Sequence, residues 1–464
     1  MTTFNLWEIG MTTYKSERGD IAIATTGDTM LTRRLSVYDE ESYLALVKVL
    51  READAAFTNL ETTVHEYNEC TPGLTRGTYM TTEPHLLEDL KWMGINMVSC
   101  ANNHAFNFGQ EGIESTIRYL DRARITHAGT GLNLAEARAP SYLDTRNGRV
   151  GLIATTAFFQ PFEAAAEQRM DVKGRPGINP LNFQKTYTLD RQAFAEFSRV
   201  NHALGFDRQK ERAERHTYSD KDAPQDRDKE INFLGGKFVE GEQFSVSTSA
   251  DACDVDGILK WVREARRQAE WVVVSLHCHE YGGASLFNAK ANVELEEVAQ
   301  FFVDVAHQCI DNGADVIAGH GSHFPLGVEL YKERPIFYSA GNFIFQIETA
   351  RFLADDAYTR FGLPWNATPS DWLQARNKND TRGHPAFAPF WQNFVGVTHF
   401  KSRKLDRVEL YPIDQGYRKV WAQRGRPVLA EGDLANNILQ RVADLSRRYG
   451  TEIKIENQIG VIRS

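Results

Sequence analysis

The sequence predicts an α/β fold, and three observations carry that expectation. Short apolar runs, rich in Val, Ile and Ala, alternate along the chain with longer amphipathic stretches. The runs are too short for helices and suit strands buried on both faces. Five of them stop at a residue able to ligate a metal, and open α/β sheets bind ligands at that end of their strands.

Ile21–Thr26 is the first such strand and ends at Gly27-Asp28. Glu41–Ala53 follows as a helix, with Leu44, Leu46, Val47 and Leu50 at near-helical spacing. Ala55–Thr58 is the second strand and runs into Asn59-Leu60-Glu61. A loop rich in Thr and Gly leads to a helix at Glu83–Met93, with Gly94 as its C-cap. Ile95–Cys100 is the third strand and leads to Asn102-Asn103-His104. Gly109–Ala123 is helical and Val150–Thr156 is another strand. Phe158–Ala250 then loses periodicity, and its mixed-charge middle, Asp207–Glu230, reads as a mobile or helical excursion.

The α/β rhythm returns with a helix at Asp254–Gln268 and a strand at Trp271–Leu276, which ends at His277-Cys278-His279-Glu280-Tyr281. Val293–Asn312 is a helix closed by Gly313. The run Val316-Ile317-Ala318 stops at Gly319, and His320 and His323 follow on the loop. Gly327–Ile347 reads as two strands joined at Lys332–Pro335, and Arg351–Pro389 is a second irregular stretch. Val395–Phe400 and Arg407–Tyr411 form a hairpin, and Asp433–Tyr449 is a helix. The chain thus divides into 21–157, an insertion at 158–250, 251–348, an insertion at 349–390, and 391–464.

Composition narrows the functional classes. The chain has 464 residues, 42% hydrophobic and 25% charged, as ordinary globular proteins do. A net charge of −9 leaves no basic footprint for nucleic acid. Residues Met1 to Asp20 lack the apolar core of a secretory signal, and no stretch is long and apolar enough to span a bilayer. The five cysteines (Cys70, Cys100, Cys253, Cys278, Cys309) are scattered and never paired as C-x-x-C, so a reducing cytoplasm is expected.

The strand ends carry the chemistry. Asp28, Glu61, Asn103 with His104, His277, and His320 with His323 offer carboxylate, amide and imidazole, the ligand set of a hydrolytic metal site. Each also has a plainer use. Asp28 suits a turn or a helix N-cap, Glu61 a solvated loop, Asn102 and Asn103 a turn, and His104 a structural histidine. His277 and His279 alternate on an extended chain, so only one of them is expected to face the site.

In order, Gly27-Asp28-Thr29-Met30, Asn59-Leu60-Glu61, Ala101-Asn102-Asn103-His104, His277…Glu280-Tyr281, Gly319-His320-x-x-His323 and Tyr338-Ser339-Ala340-Gly341-Asn342-Phe343 resemble the bacterial capsule-synthesis CapA family. That family is associated with poly-γ-glutamate and grouped with the calcineurin-like metallophosphatase superfamily. The resemblance implies a four-layer α-β-β-α sandwich, with a site at the strand ends for one or two divalent ions (Mn, Zn or Fe). It assigns Asp28, Glu61, Asn103, His277, His320 and His323 to metal, with Glu61 in the bridging position, and sets His104 beside the scissile bond. This sequence has Met30 where the superfamily often has histidine, and Ser322 where the family prefers proline. Its His-Cys-His-Glu-Tyr is one residue shorter than the usual His-Trp-Gly-x-Glu-Tyr.

The expected chemistry is hydrolysis, with metal-activated water attacking an amide (γ-glutamyl-like) or phosphoester bond and His104 assisting the leaving group. Arg33 and Arg34 suit an anionic substrate group, or else a solvated helix start. Asn102, His279, Glu280 and Asn342, from the same motifs, are expected on the substrate side. The substrate is small and anionic or peptide-like, and the insertions suit a lid or a homo-oligomer contact. Two other readings stay open: a non-catalytic accessory protein of capsule synthesis, and a phosphodiesterase or nucleotidase.

Overall fold

A computed structural model describes residues 15–75, 77–216, 226, 228–281, 284–285 and 297–463. Its fold is mixed α/β. Residues Met1–Pro180, Asp256–His279 and Ala306–Ser464 form one unit, and Leu181–Val255 with Glu280–Val305 form another.

The larger unit is built on two sheets. Ile21–Met30 lies inside a ten-stranded sheet, parallel to Ala55–Leu60 and antiparallel to Gln392–Lys401. Parallel pairing continues outward through Met97–Ser99 and Thr126–Ala128. On the other side, Lys404–Asp414 closes the expected hairpin through Ser402 and Arg403, whose φ of 48° and 66° suits the tight turn. Ile459–Arg463 and Lys454–Glu456 add further strands at that edge. The second sheet has six strands. Its parallel centre is Gly148–Thr156, Trp271–His277, Val316–His320 and Arg334–Phe337. The expected pair of strands in 327–347 is three, because Asn342–Phe345 leaves this sheet to pair with Ile21–Met30.

Strand alternation sorts the core. Ile23, Phe57 and Met97 cluster with Leu152, Val273 and Val316 of the six-stranded sheet. Their neighbours Ala24, Ala56 and Val98 point the other way, onto helices Glu41–Glu52, Leu87–Met93 and Gly109–Ala123. On the first of these helices Tyr43, Leu46, Val47 and Leu50 are buried at i, i+3, i+4 and i+7, whereas Leu44 is exposed. Trp271 stacks on Phe400 with ring centroids 4.8 Å apart, one sheet against the other.

Both expected insertions carry some regular elements. Residues 183–250 contain a four-stranded sheet, with helices Arg191–Ala203 and Phe206–Glu214. Strand Phe183–Asp190 is only half-buried along its length, so it lacks the apolar run that marks a core strand. Residues 217–225 and 227 of the mixed-charge run lie outside the described residues, as do 293–296 of the expected helix, which is seen as Gln300–Asp311. In the second stretch, Pro369–Asn377 is a helix with a capping box between Thr368 and Asp371 and proline at its start.

Candidate metal centre

The parallel strands of both sheets end at one place, and their terminal side chains meet there. Asp28 arrives first. Gly27 lets the neighbouring strand come so close that a Cβ on it would sit 1.7 Å from the Gly341 carbonyl oxygen. That same carbonyl accepts the Asp28 amide at 2.9 Å, which fixes the direction of the aspartate. Asn59 Nδ2 donates to Asp28 Oδ1 at 2.8 Å and the Gly321 amide to Oδ2 at 3.1 Å. Glu61 follows directly after strand Ala55–Leu60, and its amide donates to Thr29 O at 3.0 Å.

In the other sheet His277 and His320 are register partners on adjacent parallel strands. Their Nδ1 atoms lie 2.9 Å apart, and His320 Nδ1 is 3.7 Å from Asp28 Oδ1. Asn103 Oδ1 lies 2.8 Å from His277 Nε2. His323 has a left-handed backbone (φ 62°), a costly conformation for a non-glycine residue. Asn342 holds it there, donating to the His323 carbonyl at 3.0 Å while its own oxygen faces Nδ1 at 3.0 Å. With Nδ1–H directed at Asn342, the His323 lone pair is on Nε2, 3.9 Å from Glu61 Oε1. His320 is held in the same manner by Ser275, whose Oγ is 2.6 Å from Nε2.

The expectation that only one of His277 and His279 faces the site is overturned. Their Nε2 atoms are 3.0 Å apart. The strand stops at His277, and the Cys278 amide turns to the His320 carbonyl at 2.9 Å, so strand alternation no longer applies. Phe158 stacks on the His279 ring at 4.3 Å.

Three overlapping groups could therefore hold a metal ion: Asp28 with His277 and His320, Glu61 with His277 and His279, and Asp28 with Glu61 and His323. None of these six residues is more than 4% exposed. Neither Glu61 oxygen has a hydrogen-bond partner among the described residues, although His104, His277 and His323 each bring a nitrogen within 3.9 Å of Oε1. Such orphaned buried acceptors are rare and call for an explanation. Two carboxylates and four imidazoles around them fit a borderline transition ion.

Charge follows from burial. Desolvation, reinforced by the charge of Asp28, raises the Glu61 pKa well above the carboxylate range. Burial also pushes Asp28 up, but the hydrogen bond and charge of His323, with His320 and Asn59, outweigh it and leave Asp28 below its ordinary value. Burial drives His277 and His279 well below 6.5, His320 to about 4 and His104 to about 3. The imidazoles of these four are therefore neutral near pH 7, the form that ligates metal.

His104 stands at the rim. Asn107 Nδ2 donates to its Nδ1 at 2.9 Å and also to Thr78 O at 2.9 Å. The ring proton is therefore on Nε2, 3.8 Å from Glu61 Oε1. Asn102 arranges the loop: its oxygen accepts the His104 amide at 3.1 Å, and its Nδ2 donates to Asn59 Oδ1 and Leu60 O.

Other expected substrate-side groups are engaged elsewhere. Arg33 donates to Ala422 O at 2.7 Å, and Arg34 pairs with Asp89 at 3.3 Å. Glu280 belongs to the smaller unit, where it pairs with Lys185. Sequence reasoning gave no role to Asn59, Ser275, Asn107 and His384. The His384 ring lies 5.3 Å from that of His323 and its Nδ1 has no hydrogen-bond partner among the described residues. His384 is carried by a stretch without a strand, which hid it.

Residues 19–347 match the family described as bacterial capsule synthesis protein PGA_cap. The chain belongs to this family. The resemblance read from the motifs is thereby borne out, and the PGA_cap family is part of the metallophosphatase-like superfamily. Two uncharacterized proteins of Sinorhizobium fredii, y4sH and y4uA, are each 32% identical to this chain over 456 residues, 95% of this chain and 92% of theirs. The capsule biosynthesis protein CapA of Bacillus anthracis is 22% identical over 294 residues, 62% of this chain and 49% of its own. A probable polyglutamine synthesis accessory protein of Mycobacterium tuberculosis is 23% identical over 297 residues, 63% of this chain and 55% of its own. Among the described residues no helix is long and apolar enough to cross a membrane.

Proposed function

We propose that this PGA_cap protein is a metal-dependent hydrolase cutting an amide (γ-glutamyl-like) or phosphoester bond of a small anionic substrate. The observation that carries the reading is Glu61, a fully buried carboxylate with neither oxygen hydrogen-bonded, facing the neutral imidazoles of His104 and His277, one from each sheet. The two sheets and their helices are read as the four-layer α-β-β-α sandwich of the metallophosphatases. Asp28, Glu61, His277, His320 and His323 would hold one or two divalent ions (Mn, Zn or Fe), with Asn103 and His279 completing the set. Such an ion acidifies water and polarises a carbonyl or phosphoryl oxygen. His104, with its proton on Nε2, donates a hydrogen bond to charge developing on the leaving group. Asn342 and Ser275 keep His323 and His320 in their ligating orientations. None of the five cysteines is in a disulfide, in keeping with a reducing cytoplasm.

A second reading is favoured by the name of the mycobacterial relatives, which describes an accessory protein of polymer synthesis. On that reading the centre binds metal without turnover. Elemental analysis of the purified chain, then a panel of aryl phosphates and γ-glutamyl amides with wild type and His104→Ala, separates the two. No bound transition metal and no activity on metal addition would sink the hydrolase reading. Bound metal without turnover on any member of the panel would favour the accessory role.

A further inference from the structure

The short turns His384–Ala386 and Ala388–Phe390 are tied to the loop that carries His323. Asn342 makes the tie: its Nδ2 donates to His323 O at 3.0 Å and to Phe390 O at 2.9 Å. Trp391, fully buried, donates its indole N–H to His384 O at 3.0 Å. The Tyr417 hydroxyl donates to Ala386 O at 3.3 Å, and Pro385 is buried. On this pinned backbone the His384 ring meets that of His323 edge to face, with centroids 5.3 Å apart and planes at 62°. His323 thus touches His384 and, through Nε2, comes within 3.9 Å of Glu61.

That place does not make His384 a ligand, for it is in none of the three groups that could hold a metal ion. Nor does packing call for an imidazole there. The other ring neighbours are Phe345 and Phe390, at 5.0 and 4.6 Å, whose side chains carry no polar atom. Nδ1 is buried, and among the described residues the ring makes no hydrogen bond and no ion pair. A phenyl ring would fill the same space and leave no polar atom unmet. An orphaned acceptor is tolerated inside a fold more readily than an orphaned N–H, which puts the ring proton on Nε2. The residue is half-buried, so it is not sealed from solvent.

We propose that His384 is a substrate-binding residue of the centre, its Nε2–H donating to an anionic oxygen, of a carboxylate or a phosphate, on a substrate held beside His323. This rests on reading the centre as a hydrolytic metal site and adds a donor to it. A hydrogen bond to a charged acceptor is the strong kind. A donor whose backbone is already pinned loses little freedom when the anion arrives.

The test is calorimetric titration of the full chain, metal-free and Mn-loaded, with inorganic phosphate and separately with glutarate at constant ionic strength. Elemental analysis gives the metal content of each sample. Wild type is compared with His384→Phe and His384→Leu, which lack the donor, and with His384→Gln, whose amide nitrogen takes the place of Nε2. The expected result is saturable binding of one of the two anions by wild type, about tenfold or more weaker in the Phe and Leu variants and intermediate in Gln, with metal content unchanged. The anion that binds identifies the charged group of the substrate. The Phe variant should melt at or above wild type, because it loses only an unpartnered nitrogen from among phenyl rings; the Leu variant serves if it does not fold. A purely structural histidine would instead lower the melting point and leave the affinity of the folded variants unchanged. Wild-type affinity in the Phe and Leu variants, no saturable binding of either anion by wild type, or loss of metal together with the anion would overturn the assignment. Metal uptake by wild type with unchanged affinities in the variants refutes the role of His384 alone. A wild type that takes up no metal, yet loses anion binding in the Phe and Leu variants, refutes the metal reading and leaves the histidine's role standing.

Discussion

Replacing Glu61 by glutamine gives the sharpest check on the centre, because its effect should depend on whether metal is present. The side chain is fully buried, and its two oxygens have no hydrogen-bond partner among the described residues. An unmet buried polar group costs about 1–3 kcal/mol. Glutamine keeps the shape without the charge, so metal-free Glu61→Gln should lie within about 1 kcal/mol of wild type. Metal changes this. At a free ion concentration of about 100 times Kd, binding stabilises wild type by about 2.7 kcal/mol. If losing this ligand weakens affinity about 100-fold, the same concentration stabilises the variant by only about 0.4 kcal/mol. The metal-dependent gap is then about 2 kcal/mol, a shift of about 2 °C for a chain of 464 residues. Thermal unfolding of both proteins, with and without a fixed Mn(II) excess, measures it directly. Equal metal-induced shifts in the two proteins would refute the ligand role of Glu61.

Other expected outcomes follow from the same geometry. His104→Ala should lower turnover about 10²–10⁴-fold while metal content by elemental analysis stays at the wild-type level; unchanged turnover removes the residue from the chemistry. Gly27→Ala would place a Cβ 1.7 Å from the Gly341 carbonyl oxygen, so thermal unfolding should show a loss of about 3 kcal/mol or more, and a wild-type melting point would show the strands are not so close. Burial lowers His320 from 6.5 to about 4, so between those values the unfolded chain binds a proton that the folded chain does not. Its contribution to stability is therefore present above about pH 6.5 and lost as the pH falls toward 4. The melting point of metal-free wild type should fall over that range more steeply than that of His320→Gln, and parallel curves would contradict the assignment.

Much of the centre was legible because a parallel sheet presents its chemistry in one place, directly after each apolar run. Asp28, Glu61, His277 and His320 all sit at such ends, and the structure brings them together. What escaped had no periodic signal. His279 reaches the cluster only because the strand stops at His277, a bend set by a hydrogen bond to His320 forty-odd residues further on. Asn107 is three residues beyond His104 and looks like any turn asparagine until its partner is seen. Strand Phe183–Asp190 is half-buried on a small sheet, and its Thr, Gln and Lys read as loop. Tyr43 rather than Leu44 completes the buried stripe, because 43, 46, 47 and 50 share one helical face and 44 lies off it.

The place of the first strand has a consequence for how the protein is made. Ile21–Met30 finds its antiparallel neighbour in Gln392–Lys401, and Asn342–Phe345 lines its far end. A ribosome delivers that strand and its Asp28 long before either partner exists. Until then the strand has an open, apolar edge, the kind that recruits other chains. Contacts so distant in sequence also slow folding. The nascent chain is thus most prone to aggregation while the residues beyond 340 are still being synthesised, and chaperone demand should concentrate in that interval.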